Sequence, residues 1–226
     1  MLELDKEVKK NHNGEFIAIY ENHFEEGVEY ASQIKIGQLQ IREAFAANKR
    51  ATPINFMLLE QLSSHLRIIS INTIKKHINL ESLYSLQNLE KLFIQKNKQK
   101  TPLDISKFPK LIEFGGDYWD GLIGIENSLC LRGVCLYKLP DADLARFSKL
   151  TDLETLHICD STIQSLYGIQ KLPIKRLFLV RNKLLEEIEA LNELKKLEYL
   201  SIEKCNQIAA HEIIKSLRSK ISVVTP

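Results

Sequence analysis

The sequence lacks the features that mark several protein classes. It has 9 glycines in 226 residues, too few for a glycine-rich cofactor-binding fold. The formal net charge is +2, from 31 basic and 29 acidic residues, which argues against a surface devoted to coating nucleic acid. No apolar run approaches the length needed to span a bilayer. With 44% hydrophobic and 27% charged residues, the composition indicates an ordinary globular protein that does not cross a membrane.

Signals of export and oxidation are also missing. The four cysteines, Cys130, Cys135, Cys159 and Cys205, contain no CxxC pair and suggest no disulfide framework. The first residues show no basic segment followed by an apolar one, as a secretory signal peptide would. We therefore expect reduced thiols and a cytoplasmic protein.

Leucine and isoleucine are abundant, and their spacing repeats. Together they supply 60 of the 226 residues. The pattern LxxLxLxxN, or a near copy, starts at residues 66, 89, 111, 131, 153, 174 and 197. A clear copy runs from Leu153 through Leu156 and Ile158 to Ser161. Positions one, four and six of the seven copies hold 21 residues, and only Gly116 among them is not apolar.

The spacing has a simple physical consequence. Positions four and six alternate as on a short strand, so their side chains point to one side. One unit alone cannot bury that side, whereas stacked units bury it against their neighbours. A polar side chain at position nine can bond backbone groups where the chain turns away from the strand. The apolar columns are therefore predicted to be scaffold, without a functional role of their own.

This pattern resembles the leucine-rich repeat family, with short units similar to those of bacterial internalins and the SDS22-like class. The resemblance covers residues 66–208. It implies an α/β solenoid, a right-handed superhelix with a concave parallel β-sheet, acting as a non-catalytic binding scaffold. Return segments such as 143–147 and 188–194 look helical or 3₁₀-like. The third copy departs from the family, with Gly115-Gly116 in its strand and Trp119 in place of Asn.

The two ends of the chain differ from the repeats. Because a solenoid must shield its terminal apolar faces, we expect residues 1–65 to form an N-terminal α+β cap with a degenerate repeat. About seven repeats fill 66–208, and a helical cap fills 209–226. Within these ends the patterns predict strands over 15–20 and 33–41, a helix over 54–63 after Pro53, a helix over 209–219 and a strand over 221–224.

Positions three, five and seven of each strand point away from the buried columns. A purely solvated face would carry Lys, Glu, Ser and Thr, but this one carries aromatic side chains beside arginine, as interface hot spots do. Acidic residues gather around the third copy (Glu113, Asp117, Asp120), and Arg176 and Arg181 lie on the sixth. The predicted partner-binding residues are Lys91, Phe93, Glu113, Asp117, Trp119, Tyr137, His157, Arg176, Phe178 and Tyr199.

Explanations without a binding role also account for the aromatic side chains of this face. Some aromatics are equally explained by packing on each other or by cover from the N-terminal segment. Trp119 is also explained as core filling where the third copy is irregular. Two basic clusters, over 96–100 and 171–176, keep nucleic-acid binding as a weaker alternative.

Catalytic signatures are absent or incomplete. GxSxG, GxGxxG and GxxxxGK[ST] do not occur. His211-Glu212 begins a zinc-protease-like motif, but Lys215 stands where the second histidine is needed. Cys135, Cys159 and His157 fall on neighbouring predicted strands and suit a nucleophile or a metal site. The ordinary interpretation of these three is a mixed polar and apolar surface.

The prediction for function is a protein–protein interaction module without enzyme activity, cofactor or metal. Its partner is a protein of unknown identity that binds the concave face. Two narrower roles are an immunity or inhibitor protein that neutralises a bacterial toxin, and an adaptor that regulates an enzyme such as a phosphatase. The immunity role rests on family analogy alone.

Overall fold

The computed structural model describes residues 7–44, 53–73, 76–95, 99–208 and 211–225. The chain divides into two compact units, Met1–Leu111 with Trp119–Ile123, and Ile112–Tyr118 with Gly124–Pro226. The strands of the described ranges are, in chain order, β1 Lys9–Asn11, β2 Gly14–Tyr20, β3 Gln38–Arg42, β4 Ile54–Asn55, β5 Ile68–Asn72, β6 His77–Ile78, β7 Lys91–Gln95, β8 Leu103–Asp104, β9 Glu113–Asp117, β10 Leu122–Ile123, β11 Gly133–Tyr137, β12 Thr155–Cys159, β13 Arg176–Val180, β14 Tyr199–Glu203 and β15 Ser222–Val224.

The first unit is built on a sheet with the order β1-β2-β3-β5-β7. β1 is antiparallel to β2, and the other neighbours are parallel. Two short parallel pairs, β4 with β6 and β8 with β10, lie in the return segments. Helix α1, Phe24–Gln33, packs on β2, where a Cβ at Gly27 would meet the Ile19 side chain at 2.5 Å. Glycine at that position lets the helix approach the strand closely.

The second unit is built on a fully parallel sheet with the order β9-β11-β12-β13-β14-β15. Strands β11 to β14 pair without a register slip, so equivalent repeat positions lie side by side. The predicted return segments form 3₁₀ helices over Ala145–Phe147 and Glu189–Glu193, which confirms that prediction. Helix α2, Glu212–Leu217, precedes β15.

The apolar columns of the repeats are the core, as predicted. All 20 apolar side chains at positions one, four and six are buried, and none is more than 6% exposed. At about 1.5–3 kcal/mol for each large side chain removed from water, burial of these columns dominates the gross stabilisation. Since the columns occupy one face of each strand, the opposite face is available for other residues.

Position nine of the repeats carries a buried ladder of polar bonds. Asn182 accepts a hydrogen bond from the Ser161 backbone N–H at 3.1 Å and donates to the Ile158 carbonyl at 2.8 Å. The Ser161 hydroxyl accepts from the Leu139 N–H at 3.0 Å. The Cys205 thiol donates to the Leu179 carbonyl at 3.4 Å. Backbone groups at the ends of β11, β12 and β13 are thereby satisfied by a side chain of the next repeat, as the pattern predicted.

Some predictions for the N-terminal residues are wrong in detail. Helix α1 was not predicted, and Gln33 is its last residue. The strand predicted over 33–41 therefore begins only at Gln38, after a left-handed turn at Lys35 (φ 51°). The helix predicted over 54–63 is a 3₁₀ helix, Phe56–Leu62. Pairing of β4 with β6 holds the first two residues extended, and Asn55 then caps the helix through the Met57 N–H at 3.1 Å.

Two other predictions fall partly outside the described residues. Residues 96–98 of the basic cluster over 96–100 are outside them. Residues 209–210 of the helix predicted over 209–219 are outside them as well, and α2 covers part of the rest. The strand predicted over 221–224 is present as β15, which pairs with β14. The domain boundaries at 65 and 208 stay a prediction.

Candidate functional site

One face of the second unit's sheet remains accessible. This accessible face consists of positions three, five and seven of β9 and β11 to β14, where residues are mostly half-buried while the positions between them are buried. Three rings form a row across it. The ring centroids of His157 and Phe178 lie 3.7 Å apart, and those of Phe178 and Tyr199 lie 5.2 Å apart. The row is continuous because His157 and Phe178 are register partners and Tyr199 lies on the next strand.

Arg176 borders the row on the same face. It is exposed, and its guanidinium Nη2 and Nε donate to the Thr155 hydroxyl at 3.1 and 3.3 Å. In the described part of the chain no carboxylate pairs with it within 4.0 Å. The bond to a neutral hydroxyl positions the guanidinium beside the rings and leaves its charge uncompensated. A partner's carboxylate could therefore pair with it.

Arg181, in contrast, is already paired. Its Nε and Nη2 donate to the two carboxylate oxygens of Asp160 at 2.6 and 2.7 Å. These hydrogen bonds and the charge of Arg181 lower the pKa of Asp160 below its ordinary value. Asp117 likewise has Lys138 Nζ at 3.9 Å. The charge separation expected from the sequence is thus partly neutralised within the chain, and Arg176 is the basic residue that stays available.

A group of two thiols, an imidazole and a phenol lies beside the ring row. Cys135 faces His157 across β11 and β12, and Tyr137 faces Cys159 two residues further along. The pKa of Cys135 is lowered, chiefly because Cys159 donates a hydrogen bond to it and then because of the neighbouring imidazole, while burial opposes the change. The pKa of Cys159 is raised by the same bond and by its burial. Cys135 is therefore the thiol of the pair that ionises first.

Comparison with solved structures finds proteins of one architecture. Internalin C2 of Listeria monocytogenes superposes with a TM-score of 0.56 and 16% identity, over 82% of this chain and 75% of the internalin. A leucine-rich repeat protein of Leptospira interrogans gives 0.56 and 17%, over 87% and 50%. A second Listeria internalin gives 0.56 and 15%, over 87% and 65%.

The protein has the leucine-rich repeat fold. The prediction of an α/β solenoid of this type is confirmed. The chain spans between half and three quarters of the length of these structures, so the likeness concerns architecture alone. No protein-family model matches the chain, and the search of curated proteins finds no relative.

Most of the predicted binding residues lie where the pattern placed them. Glu113, Asp117, Tyr137, His157, Arg176, Phe178 and Tyr199 are on the accessible face of the second unit. Lys91 and Phe93 are half-buried on β7 of the first unit, where Lys91 Nζ donates to the Asn13 side chain at 2.9 Å.

Trp119 is a correction. The prediction of a partner contact is wrong because this side chain is buried, with 4% of its surface exposed. Its indole N–H donates to the Thr101 carbonyl at 2.9 Å. Trp119 thus does what other position-nine residues do, filling the interior while satisfying a backbone group.

Two residues that the predicted set omits lie beside the side chains of the ring row. Thr155 orients Arg176, and its place at position three was the available signal. Cys135 occupies position five and was considered only as part of a nucleophile or a metal site. Within the described ranges no three His, Cys, Asp or Glu side chains are grouped to hold a metal ion. No helix of the described residues is long and apolar enough to cross a membrane.

Proposed function

We propose that the protein is a non-catalytic module that binds another protein through the accessible face of its second unit. The row of His157, Phe178 and Tyr199 next to the unpaired charge of Arg176 carries this proposal. Rings on an open sheet present a large apolar area at low entropic cost, and aromatic residues with arginine dominate interface energetics.

The arrangement favours a macromolecular partner over a small ligand. A small-molecule site is a concavity that surrounds most of its ligand. The ring row instead crosses three neighbouring strands, about 10 Å at the usual spacing of 4.8 Å. A partner that covers the row with an apolar side chain and meets Arg176 with a carboxylate satisfies both features of the face. We propose that this partner is a cytoplasmic protein.

Two narrower roles fit within the proposal. The module is an immunity or inhibitor protein if its partner is a toxin whose activity stops on binding. It is a regulatory adaptor if the partner is an enzyme, such as a phosphatase, whose activity is redirected. Assaying the purified partner with and without the module separates the two roles.

The test removes rings from the accessible face and compares a matched control. We expect the Phe178→Ala variant to bind the partner at least tenfold more weakly, because a buried hot-spot side chain contributes about 2 kcal/mol or more. Tyr167 is the control, because it is 59% exposed and lies in a return segment. Tyr167→Ala should bind as the wild type does. Partners are captured from lysate of the source organism, and affinities are measured by calorimetry.

Stability measurements separate a contact from a folding defect. Phe178→Ala removes two ring contacts, so its free energy of unfolding should fall by about 1–2 kcal/mol without loss of the native circular dichroism. Equal binding by wild type, Phe178→Ala and Tyr199→Ala would contradict the proposal. So would a loss of binding that follows only from unfolding.

A further inference from the structure

A cavity of about 500 Å³ lies in the first unit, where strands β3, β5 and β7 begin. Its wall includes the end of the β1–β2 hairpin (13–15) and the turn between α1 and β3 (34–37). Lys91 Nζ, at the start of β7, donates to Asn13 Oδ1 at 2.9 Å, although β3 and β5 lie between β2 and β7 in the sheet. The hairpin therefore reaches over these strands and bounds the cavity, whose volume is that of a ligand site.

The main chain around the cavity is already hydrogen-bonded. The Gly37 carbonyl accepts from the N–H groups of Arg67 and Ile68 at 2.9 and 3.1 Å. The Arg67 carbonyl accepts in the same way from Glu90 and Lys91 at 2.8 and 3.0 Å. A ligand in the cavity must therefore be recognised by side chains.

Gln38 is a buried polar side chain in the cavity wall. It is 5% exposed, and its Oε1 has no hydrogen-bond partner among the described residues. Because buried polar atoms in native structures are nearly always hydrogen-bonded, this oxygen requires a donor from outside the chain. The terminal amide turns easily about its last bond, so it can present the oxygen to the cavity.

The charges of the cavity wall leave one lysine uncompensated. Arg67 Nη1 lies 3.9 Å from Glu90 Oε1, and Glu15 Oε1 lies 3.4 Å from Lys10 Nζ. In the part of the chain that the structure describes, Lys35 has no carboxylate within 4.0 Å. Both acidic side chains of the wall thus have basic partners, whereas the Lys35 ammonium is available to an anionic group.

We propose that this cavity binds the carboxyl-terminal residue of a peptide, one with an aliphatic side chain. The terminal carboxylate pairs with Lys35, and the main-chain N–H of that residue donates to Gln38 Oε1. Its side chain lies against Ile34, which is 37% exposed, and Ile68. A peptide terminus supplies a donor, a negative charge and an apolar group together, whereas a phosphate ion lacks the apolar group and an ionised fatty acid lacks the donor.

This proposal concerns the first unit and does not rest on the function proposed for the second. Loss of peptide binding at the cavity and loss of partner binding at the ring row are therefore separate results.

Peptides that differ at their terminus test the role of the charge. We expect N-acetyl-Gly-Gly-Leu to bind the full chain, and its carboxamide form to bind roughly tenfold more weakly because it cannot form the charge-assisted bond to Lys35. Titrations are followed by nuclear magnetic resonance of the ¹⁵N-labelled protein, in which the Gln38 side-chain amide signals should move with the acid peptide. Equal affinity of the two peptides, or binding of neither, would overturn the proposal.

Two smaller probes test whether a peptide chain is required. N-acetyl-leucine keeps the carboxylate, the N–H and the side chain but fills less of the cavity, and inorganic phosphate keeps only the negative charge. We expect both to bind more weakly than the tripeptide. Affinity of N-acetyl-leucine equal to that of the tripeptide would overturn the peptide assignment in favour of a free amino-acid derivative. Equal affinity of phosphate would overturn it in favour of a simple anion site.

Variants of the wall test the assigned roles. Lys35→Gln should bind the tripeptide roughly tenfold more weakly, because the ion pair is lost. Lys76→Gln is the matched control, since it changes an exposed lysine of the first unit that does not line the cavity, and it should bind as the wild type does. Unchanged affinity of Lys35→Gln would overturn the proposal.

Gln38→Leu separates a ligand contact from a structural role. It should weaken tripeptide binding roughly tenfold and melt no lower than the wild type, because it replaces an unsatisfied buried polar group by an apolar one. A lower melting temperature would show that the amide is satisfied within the protein, and this result or unchanged affinity would overturn its assigned role.

Discussion

Strands β11 to β14 have two faces that differ in the range of side chains they carry. On the buried face, all eight residues are aliphatic and none is more than 2% exposed. On the accessible face, the residue at position five changes from cysteine to histidine, phenylalanine and serine along the four strands. The backbone pairing is the same for both faces, so the difference comes from their environments. Packing restricts the buried face to aliphatic side chains, whereas the accessible face is free to carry specificity.

The largest expected effect on stability comes from a substitution on the buried face. Leu156→Ala should lower the free energy of unfolding by about 2–5 kcal/mol, because a fully buried leucine leaves a cavity among neighbouring repeats. Thr155→Ala, one residue away on the accessible face, should cost under about 1 kcal/mol. Urea denaturation of both variants measures the contrast. Similar losses in the two would mean that the faces do not differ energetically.

A smaller effect concerns the polar ladder that joins the repeats. Asn182→Ala should cost about 2–3 kcal/mol, because it removes the acceptor of the Ser161 N–H and one donor to the Ile158 carbonyl in the interior. Lys183→Ala changes the exposed neighbouring side chain and should be nearly neutral. Thermal and urea unfolding provide the comparison. A neutral Asn182→Ala would imply that water replaces the amide at this position.

The smallest expected effect on stability comes from an exposed ion pair and depends on pH. The pKa of Asp160 in the folded state is lowered by its bonds to Arg181. These bonds therefore stabilise the fold at pH values above the unfolded-state pKa of about 3.9. This stabilisation is lost as the pH falls through the folded-state pKa. Asp160→Asn should therefore be less stable than wild type at pH 7 and equal to it near pH 2. Its deficit should be smaller than that of Asn182→Ala.

Asp152→Asn is the charge-matched control for that prediction. It removes one exposed carboxylate that has no ion pair among the described residues. A pH-dependent deficit as large as that of Asp160→Asn would mean that net charge, rather than the pair with Arg181, is responsible.

The strands of the repeats were predictable because a single physical requirement recurs. Each unit must bury positions one, four and six, and this requirement placed β5, β7, β9 and β11 to β14. The ring row was predictable for the same reason, since strand alternation directs His157 and Phe178 to the opposite face. The prediction for Trp119 failed because the pattern does not say whether a large aromatic at position nine turns inward.

The region before the repeats was harder to predict. Phe24, Val28 and Ala31 lie at helical spacing and are buried in α1, a signal that was present in the sequence but short. What selects the helix is its packing on β2, where Gly27 meets Ile19. No repeating pattern in the sequence indicates that these two residues are in contact. The 3₁₀ form of Phe56–Leu62 was equally undetermined, because it follows from the pairing of β4 with β6.

By itself, the sequence determined the repeat length, the aliphatic core and which side chains share a face, because these follow from the period of a strand and the need to bury apolar surface. Only the tertiary structure decided which groups on that face touch. It brought the rings of His157, Phe178 and Tyr199 into contact in a row. It paired Arg181 with Asp160, whereas Arg176 bonds the Thr155 hydroxyl. It also placed Cys135 between His157 and Gly115 on the neighbouring strands. The reason is that register between strands, and the rotamers it permits, depend on neighbours about 20 residues away along the chain.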